Sequence, residues 1–382
     1  MGHLSEPMAT LSVAGRLDNV RSALAANRSD GAIPDALLVT TAANIRWLTG
    51  FTGSAGVLLV GPGRALLATD GRYRIQAADQ LADSGVADQI DLAIGGVQAQ
   101  REALAAAAGG GMTVGLEAGD VTWSAATTWE SVLDPLLVVA TQGIVEGLRV
   151  VKDDAEVDRI ERAAAIADSA LDSVLYLLAE VGDGAILTES MFAAELDHAM
   201  RIGGAEDRAF ETIVASGENS AKPHARPGSR VMRVGDPVVV DFGATFDGYR
   251  SDMTRTFCIG GTPTGELATV FDVVASAQAA GTARVGPGVA TGEIDRACRD
   301  RIAEAGWAER FEHGTGHGVG LDIHEGPAVG AGSTAILQPG TVITVEPGVY
   351  LPSVGGVRIE DTLVVTATGC RPLTRFPKEV AV

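Results

Sequence analysis

The first third of the chain alternates short apolar runs with segments of helical character. The runs ALLVTT, GVLLVG, ALLATD, MTVGLE and PLLVVA lie between residues 36 and 140 and have the length and aliphatic content of strands. Segments rich in Ala, Leu and Gln lie between them. Because strands that alternate with helices form layered sheets, the pattern predicts an α/β domain.

The pattern changes near residue 148, where a long helical segment begins. Asp153 or Asp154 is placed to cap this helix, and acidic residues follow in its first turn. Later helices are predicted at Met191–Ile202, about Glu266–Ala280 and Thr291–Ala305, the last with Thr291 as N-cap. The segments TVITVEPGVY and GGVRIEDTLVV are predicted as strands. This grouping is typical of an α+β domain, so we predict two domains, residues 1–148 and 149–382.

A β-hairpin is predicted within VVVDFGATFDGYRSDMTRTF, residues 238–257. The Asp247-Gly248 pair favours a two-residue turn, because both residues tolerate positive φ. With that turn, Asp241 lies diagonal to Asp252 on the same face of the sheet. Two carboxylates so close raise each other's pKa unless a cation lies between them. The hairpin therefore directs two acidic groups at one place.

Composition narrows the class of protein. The net charge is −20, and the Lys and Arg residues form no basic run, which argues against binding to nucleic acid or to an anionic membrane. Three cysteines without a CxxC spacing suit a reducing compartment and argue against disulfides or a thiolate zinc site. The start MGHLSEPMATLSVAG has no apolar leader, and no later run reaches about 18 apolar residues. We expect a cytoplasmic protein.

Histidine placement is the second chemical signal. Four of the six histidines fall in two short stretches: His224 in AKPHARPG, and His313, His317 and His324 in FEHGTGHGVGLDIHEGP. A single histidine is more often structural than a ligand. Three within twelve residues of a glycine-rich segment indicate a site.

Two glutamates complete the set of candidate ligands. Glu346 ends an apolar run directly before a Pro-Gly turn, and Glu360 alternates with apolar residues in another run. Together with Asp241, Asp252 and His317, they form an oxygen-rich set that could hold two divalent ions. Four carboxylates balance the charge of two such ions, so we interpret the hairpin aspartates as metal ligands.

The motifs VVVDFG, SDMTRTF, GTGHGVG, TVEPGVY and GVRIED occur in the order that is found in proline-specific metallopeptidases of the pita-bread fold. The chain resembles this family, which includes aminopeptidase P and prolidase (Xaa-Pro dipeptidase). The stretches ANIRWLTGFTGSAG and ALLATDGRYRIQA are similar to its creatinase-type N-terminal domain. The resemblance covers nearly the whole chain. It implies an α/β creatinase-like domain followed by an α+β pita-bread catalytic domain.

The resemblance also implies a ligand set for two metal ions. Asp241 would chelate one ion, Asp252 and Glu360 would bridge the pair, and His317 with Glu346 would complete the other. A hydroxide that bridges the ions would then attack the peptide bond, with Glu346 as general base and acid. Ligands dominated by carboxylates favour a hard ion, so Mn²⁺ is expected, with Co²⁺ or Zn²⁺ as alternatives.

Further roles follow from the same resemblance. His224 and His324 match histidines that flank the scissile bond, and His313 matches a further histidine of the pocket. Arg358, two residues before Glu360 and so on the same strand face, is expected to orient Asp241 or to bind substrate. The family implies a homodimer or a larger homo-oligomer.

The expected substrates are proline-containing peptides or dipeptides. An Xaa-Pro bond lacks an N–H group, so a pocket shaped for the pyrrolidine ring makes proline a source of specificity. One departure concerns the loop GPAVGAGSTAILQPG, Gly326–Gly340, which has no basic residue where many relatives carry an arginine. The anchor for a dipeptide's carboxylate is therefore missing from this loop, and the preferred chain length stays open.

Other functions share parts of this pattern. A methionine aminopeptidase or an aminopeptidase of broad specificity is an alternative. Methionine aminopeptidases share the five ligands but usually lack an N-terminal domain like residues 1–148. Creatinase shares both domains without the metal ligands. Catalytically inactive pita-bread domains that bind peptides or histones have lost ligands, whereas all five are present here.

Overall fold

The computed structural model describes residues 11–26, 34–352, 354–378 and 381–382. Contacts between residues divide the chain into two compact units, one ending at Arg149 and the other beginning at Val150. The domain boundary predicted near Leu148 stays a prediction. The start of the chain, for which the sequence predicts no leader, lies outside the described residues up to residue 10.

The N-terminal unit contains a mixed sheet with helices between its strands. Its strands are β1 Ala36–Val39, β2 Val57–Val60, β3 Ala65–Thr69, β4 Ile90–Ile94, β5 Thr113–Glu117 and β6 Leu137–Thr141. Its helices are α1 Arg16–Ala26, α2 Ala42–Thr49, α3 Arg74–Asp83, α4 Val97–Ala108, α5 Trp123–Leu133 and α6 Ile144–Arg149. The strand order is β4-β3-β2-β1-β5-β6, with β1, β5 and β6 parallel to one another. The predicted α/β class is confirmed.

Strand β4 was not among the predicted strands, and its position explains why. It lies at the edge of the sheet, pairs with β3 alone among the described strands, and has the exposed Asp91 as its second residue. Asp91 forms an exposed ion pair with Arg64 at 2.6 Å. A charged residue in a short edge strand breaks the apolar pattern from which the other strands were predicted.

The C-terminal unit contains five helices of at least seven residues and several small antiparallel sheets among its described residues. Its helices are α7 Asp154–Val174, α8 Tyr176–Gly182, α9 Glu189–Ile202, α10 Gly265–Thr282 and α11 Thr291–Glu304. Its strands are β7 Asp207–Arg208, β8 Ile213–Ser216, β9 Pro237–Phe242, β10 Ala244–Phe246, β11 Tyr249–Arg250, β12 Met253–Cys258, β13 Gly316–Gly318, β14 Glu325–Val329, β15 Val342–Val345, β16 Gly348–Leu351, β17 Gly355–Arg358, β18 Asp361–Val365 and β19 Cys370–Pro372. The predicted α+β class is confirmed.

Two apolar clusters hold the sheets of this unit to its helices. In one cluster, buried side chains of α7 and α9 pack with those of β9 and β12. In the other, buried side chains of α10 and α11 pack with those of β15, β16, β17 and β18. Helices therefore pack against β9 and β12, next to Asp241 and Asp252, and against β15 to β18, next to Glu346 and Glu360.

The starts of three helices show how well local signals predict capping. Asp153 caps α7 and forms a capping box with Glu156, as its position predicts. Helix α9 begins at Glu189, two residues before the predicted start, with Thr188 as N-cap. The prediction that Thr291 caps α11 is wrong, because Ala290 is the N-cap and Thr291 is the first helical residue. Ala290 is held in extended conformation by a bridge to Ile336, so the helix starts directly after it.

The predicted hairpin is present, with the predicted register. Asp247 and Gly248 adopt φ values of 44° and 70°, and a two-residue hairpin turn of type I′ requires positive φ at both positions. Asp241 pairs with Thr254, so Asp252 lies diagonal to Asp241 on the same face. The hairpin is shared between two sheets, because β9 and β12 join β8 while β10 and β11 join β7.

Each of the two closing segments predicted as one strand is divided into two. The chain passes from the five-stranded sheet β14-β13-β15-β18-β19 to the two-stranded sheet β16-β17, and then returns. The first crossing is at Glu346-Pro347 and the second at Ile359-Glu360. Both candidate glutamates therefore lie where the strand pairing changes. At such positions side chains do not have to alternate between the two faces of a sheet.

Two predicted absences can be compared with the described residues. None of their helices combines the length and the apolar character that a membrane crossing requires. All three cysteines, Cys258, Cys298 and Cys370, are free thiols.

Candidate metal centre

Three carboxylates converge in the C-terminal unit. Asp241 lies on β9, Asp252 directly precedes β12, and Glu360 lies between β17 and β18; one oxygen from each falls within 4.8 Å of the others. Asp252 is 5% exposed and Glu360 is 1% exposed. Burial raises the pKa of both groups well above the ordinary value, and the neighbouring carboxylates raise each pKa further. A cation would remove this repulsion.

Asp241 and Glu360 each have one carboxylate oxygen in a hydrogen bond and one oxygen without a hydrogen-bond partner among the described residues. Asp241 Oδ2 accepts a hydrogen bond from Arg358 Nη2, and Glu360 Oε2 accepts one from Thr254 Oγ1 at 2.7 Å. Asp241 Oδ1 and Glu360 Oε1 are buried and have no partner among the described residues. Buried oxygens are rarely left without a partner, so these two atoms fit a bound divalent cation.

His317, on β13, adds a nitrogen to the cluster. Its Nε2 atom lies 3.5 Å from Asp252 Oδ2 and 3.5 Å from Glu346 Oε1. Its Nδ1 atom lies 3.0 Å from the carbonyl oxygen of Gly318, which can only accept, so Nδ1 carries the proton. Burial lowers the pKa of His317, which favours the neutral ring. Nε2 therefore turns a lone pair towards two carboxylates, an arrangement that a metal ion would make favourable.

Glu346 lies at the first strand crossing and is fixed through its own backbone. Its N–H donates to the carbonyl of Thr315 at 2.8 Å, and its Oε1 accepts from Thr344 Oγ1 at 3.3 Å. Burial raises the pKa of Glu346 to about 7. The carboxylate faces the same cavity as the three clustered acids.

A chain of hydrogen bonds leads from Asp241 to the pocket histidine. Arg358 Nη1 donates to the hydroxyl of Tyr350 at 2.8 Å, and that oxygen lies 2.8 Å from His313 Nε2. His313 Nδ1 lies 2.8 Å from the carbonyl of Gly314 and must be its donor, so Nε2 accepts the Tyr350 proton. Burial lowers the pKa of His313 to about 4 and raises the pKa of Tyr350 to about 12. Both ring nitrogens of His313 are thus occupied within the protein.

Tyr350 ends the motif TVEPGVY, but sequence reasoning gave it no role in the site. The hairpin β16-β17 pairs Gly348 with Arg358 and Tyr350 with Gly356, which places Tyr350 diagonal to Arg358 on one face. The alternation of Glu346, Gly348 and Tyr350 was the available sequence signal. It required knowledge that the segment after Pro347 pairs with β17.

Helix α11 supplies a second support that sequence reasoning missed. Asp295 accepts hydrogen bonds from Thr315 Oγ1 at 2.8 Å and from Arg299 Nε at 2.9 Å. Arg299 also donates to the backbone carbonyls of Phe311 and His313, at 3.0 and 2.5 Å. These contacts fix the glycine-rich segment that contains His313. The i, i+4 spacing of Asp295 and Arg299 was visible, but it is common on exposed helix faces.

Every residue predicted for the site lines one cavity of about 250 Å³. They are His224, Asp241, Asp252, His313, His317, His324, Glu346, Arg358 and Glu360. The cavity also has an apolar wall, formed by Phe210, Ile213, Pro223 and Ile323. The individual roles of these residues stay predictions.

Residues 158–367 match the family described as metallopeptidase family M24. The chain belongs to metallopeptidase family M24. Residues 16–151 match the creatinase/prolidase N-terminal domain. The predicted family, the enzyme class and the order of a creatinase-like domain and a pita-bread catalytic domain are confirmed.

Similar proteins align with this M24 metallopeptidase along most of its length. An uncharacterised peptidase of Bacillus subtilis, YqhT, is 39% identical over 348 residues, which are 91% of this chain and 96% of that relative. The structure of an Xaa-Pro dipeptidase from Bacillus anthracis is 35% identical, with a TM-score of 0.89, and covers 97% of this chain and 100% of that chain. An X-Pro aminopeptidase from Thermotoga maritima is 32% identical, with a TM-score of 0.82, and covers 96% of this chain and 99% of that chain. The likeness therefore includes both compact units.

Proposed function

We propose that this M24 metallopeptidase hydrolyses the Xaa-Pro bond at the N-terminus of peptides or in Xaa-Pro dipeptides. The observation that carries the proposal is the pair of unpartnered buried oxygens, Asp241 Oδ1 and Glu360 Oε1, beside Asp252. Two similar structures, an Xaa-Pro dipeptidase and an X-Pro aminopeptidase, support the substrate class.

The residues that would hold two divalent ions are Asp241, Asp252, His317, Glu346 and Glu360. Four of these five side chains offer carboxylate oxygens, a donor set that favours a hard ion, so we propose Mn²⁺, with Co²⁺ or Zn²⁺ as alternatives. When bound, such ions supply Lewis acidity, which polarises the scissile carbonyl and lowers the pKa of an attacking water towards neutrality.

Glu346 would act as the general base and acid. It lines the cavity, and its position is fixed by Thr344 and by the backbone of Thr315. From that position its carboxylate takes the proton of the attacking water and delivers it to the prolyl nitrogen as the bond breaks. Without that proton the prolyl nitrogen would leave as an unstable anion.

Two exposed histidines would contact the substrate directly. His224 and His324 line the cavity, and neither ring forms a hydrogen bond to another described residue. Their nitrogens can donate to the carbonyl oxygen that gains charge during attack. His313 differs, because both of its nitrogens bond within the protein, so it would offer its ring to the proline as a wall of the pocket.

The apolar wall gives the proline preference a physical basis. Phe210, Ile213, Pro223 and Ile323 line the cavity together with the carboxylates, and Ile213 of β8 pairs directly with Asp241 of β9. Such side chains exclude water from the site and accept apolar groups of the substrate. A pyrrolidine ring buries apolar surface here and brings no N–H group. Any other residue at this position would bury an N–H without a partner, which costs binding free energy.

Product analysis tests this function. The purified chain, with added Mn²⁺, is incubated with an Xaa-Pro dipeptide and with an Xaa-Pro-Yaa-Zaa peptide, and the products are identified by mass spectrometry. Release of the N-terminal residue from either substrate is expected. Release of N-terminal methionine from peptides without proline would favour a methionine-type aminopeptidase instead. A homodimer and a cytoplasmic location remain predictions.

A further inference from the structure

A buried ion pair outside the ligand set lies beside the site. Lys152 Nζ is 2.6 Å from Glu325 Oε1, and the two side chains are 1% and 7% exposed. Removing two charges from water is costly, and apolar side chains of similar size often give equal or greater stability. A pair so deeply buried therefore calls for a reason other than stability.

Glu325 directly follows one histidine of the cavity and pairs with the residue that follows another. It is the first residue of β14, and its pairing partner across the hairpin is Gly318 of β13. His324 directly precedes Glu325, and His317 directly precedes Gly318. The two rings lie 4.4 Å apart at an angle of 82°. Displacement of Glu325 would therefore move His324 relative to His317.

The carboxylate of Glu325 also packs against the loop that joins the two strands. Its Oε2 lies 3.4 Å from the backbone N–H of Asp322. A side chain added at Gly320 would come within 2.5 Å of the carboxylate, so this glycine permits the close approach. The carboxylate of Glu325 thus holds the loop between β13 and β14 through its contacts with Asp322 and Gly320.

Lys152 is held independently of that loop. Its backbone N–H donates to the carbonyl of Gly340 at 3.0 Å, and its Nζ donates to the carbonyl of Val150 at 3.3 Å. The next residue, Asp153, caps α7. The ammonium group is therefore a fixed point at the start of the longest helix among the described residues.

We propose that Lys152 and Glu325 are a positioning pair that holds His324 beside His317, in reach of the substrate. The role of His324 towards substrate rests on the proposed function. An ion pair serves this purpose better than an apolar contact, because its short, directed hydrogen bond fixes one position of the carboxylate. Neither residue touches the substrate in this account.

A double-mutant cycle between Glu325→Gln and His324→Ala tests the proposal. In the parent chain, Glu325→Gln should lower kcat on an Xaa-Pro peptide by about 10-fold or more, since small displacements of a reacting group are costly. In the His324→Ala background the same change should lower kcat by less than about 3-fold, because the two residues act through one group. If Glu325→Gln lowers kcat by the same factor with and without the His324 side chain, the proposal is overturned.

Three further variants separate positioning from stability. Lys152→Arg should retain most of the activity, because it keeps the charge. The apolar pair Lys152→Met with Glu325→Leu should fold, as judged by thermal unfolding, and still have a low kcat; full activity in this variant would contradict a positioning role. Asp236→Asn serves as control, since it breaks the Arg230–Asp236 pair at 2.6 Å, whose residues are absent from the cavity lining.

A readout without turnover distinguishes failure of this proposal from failure of the Xaa-Pro assignment. In metal-free protein labelled with ¹⁵N-histidine, Glu325→Gln should shift the imidazole signals of His324 and His317. The signal of His198 on α9 should stay in place, and the His324→Ala variant provides the assignment. Unchanged His324 signals would overturn the proposal whatever the substrate proves to be.

Discussion

Arg358 Nη2 donates to Asp241 Oδ2 at 2.5 Å, and the two side chains are 3% and 13% exposed. The contact occupies one oxygen of Asp241 and leaves Oδ1 buried without a hydrogen-bond partner among the described residues, free to bind a cation. Of the two roles expected for Arg358, this geometry supports the orientation of Asp241. A guanidinium is suited to the task, because its other donors bind Thr254 and Tyr350 at the same time.

Replacing Arg358 should weaken metal binding. In Arg358→Met, Asp241 loses its donor and its orientation, so we expect Mn²⁺ affinity to fall by about 10-fold to 100-fold, as for other residues that orient metal ligands. Tyr350→Phe is the matched comparison, since it removes one hydroxyl from the chain of hydrogen bonds and keeps the Arg358–Asp241 contact. Isothermal titration of metal-free protein with Mn²⁺ measures both. Equal affinities for Arg358→Met and the parent chain would contradict the orienting role.

The length of the substrate is a second point for measurement. The loop Gly326–Gly340 has no Lys or Arg, and the arginine that lines the cavity, Arg358, is already bonded to Asp241 and Tyr350. No described residue of the lining then offers a spare cation for a dipeptide's carboxylate. We expect peptides of three or more residues with proline second to be cleaved at least comparably to Xaa-Pro dipeptides. Turnover restricted to dipeptides, measured as kcat/KM over the series, would show that the anchor lies elsewhere.

Proline itself should contribute measurably to recognition. Replacing proline by alanine at the second position of the substrate should lower kcat/KM by about 10-fold or more, the effect of losing a small apolar group from a fitted pocket. The measurement compares matched Xaa-Pro-Yaa and Xaa-Ala-Yaa peptides at saturating Mn²⁺. Equal values would favour an aminopeptidase of broad specificity.

Asp168, on α7, should give the fold a pH dependence unrelated to the metal site. Burial raises its pKa to about 6 from an ordinary value of 3.8, although the backbone N–H groups of Arg375 and Phe376 donate to its carboxylate. Between about pH 4 and pH 6 the folded state therefore binds more protons than the unfolded state, so stability falls as pH rises through this window. The loss is at most about 3 kcal/mol, at 1.36 kcal/mol per pKa unit.

The variant Asp168→Asn isolates this contribution. Loss of one hydrogen-bond acceptor should lower the free energy of unfolding of the variant by about 1 kcal/mol at every pH. Because the parent chain loses stability as pH rises from about 4 to 7 and the variant does not, the variant should gain stability relative to the parent over this range. Urea unfolding at several pH values measures the difference, with Asp172→Asn, an exposed change on the same helix, as control. A difference between variant and parent that does not change with pH would contradict the shifted pKa of Asp168.

Local signals predicted the features that depend on a few neighbouring residues. Asp247 and Gly248 determine the turn, and the turn determines which residue faces Asp241, so the hairpin register could be read from the sequence. The cap of α7 by Asp153 is local in the same way. These predictions needed no knowledge of distant parts of the chain.

Features that depend on distant contacts could not be predicted. The exchange of strands between two sheets at Glu346 and Glu360 is decided by pairing partners that the alternation of apolar residues does not specify. Thr291 has the character of an N-cap, but the bridge at Ala290 ends the extended segment one residue earlier. The pairing of Lys152 with Glu325 joins residues far apart in sequence and has no local signal.

Metal content tests the central claim, that the hairpin carboxylates hold the metal ions, most directly. Asp252→Asn removes a charge and a ligand oxygen from the cluster, whereas His324→Ala removes a group assigned only to substrate. Elemental analysis of both variants after Mn²⁺ loading, with circular dichroism to confirm folding, should show less metal per chain in Asp252→Asn and a full complement in His324→Ala. Turnover should fall in both, by about 10²-fold or more for the lost contact of His324. A folded Asp252→Asn variant with a full metal complement and near-normal turnover would contradict the account.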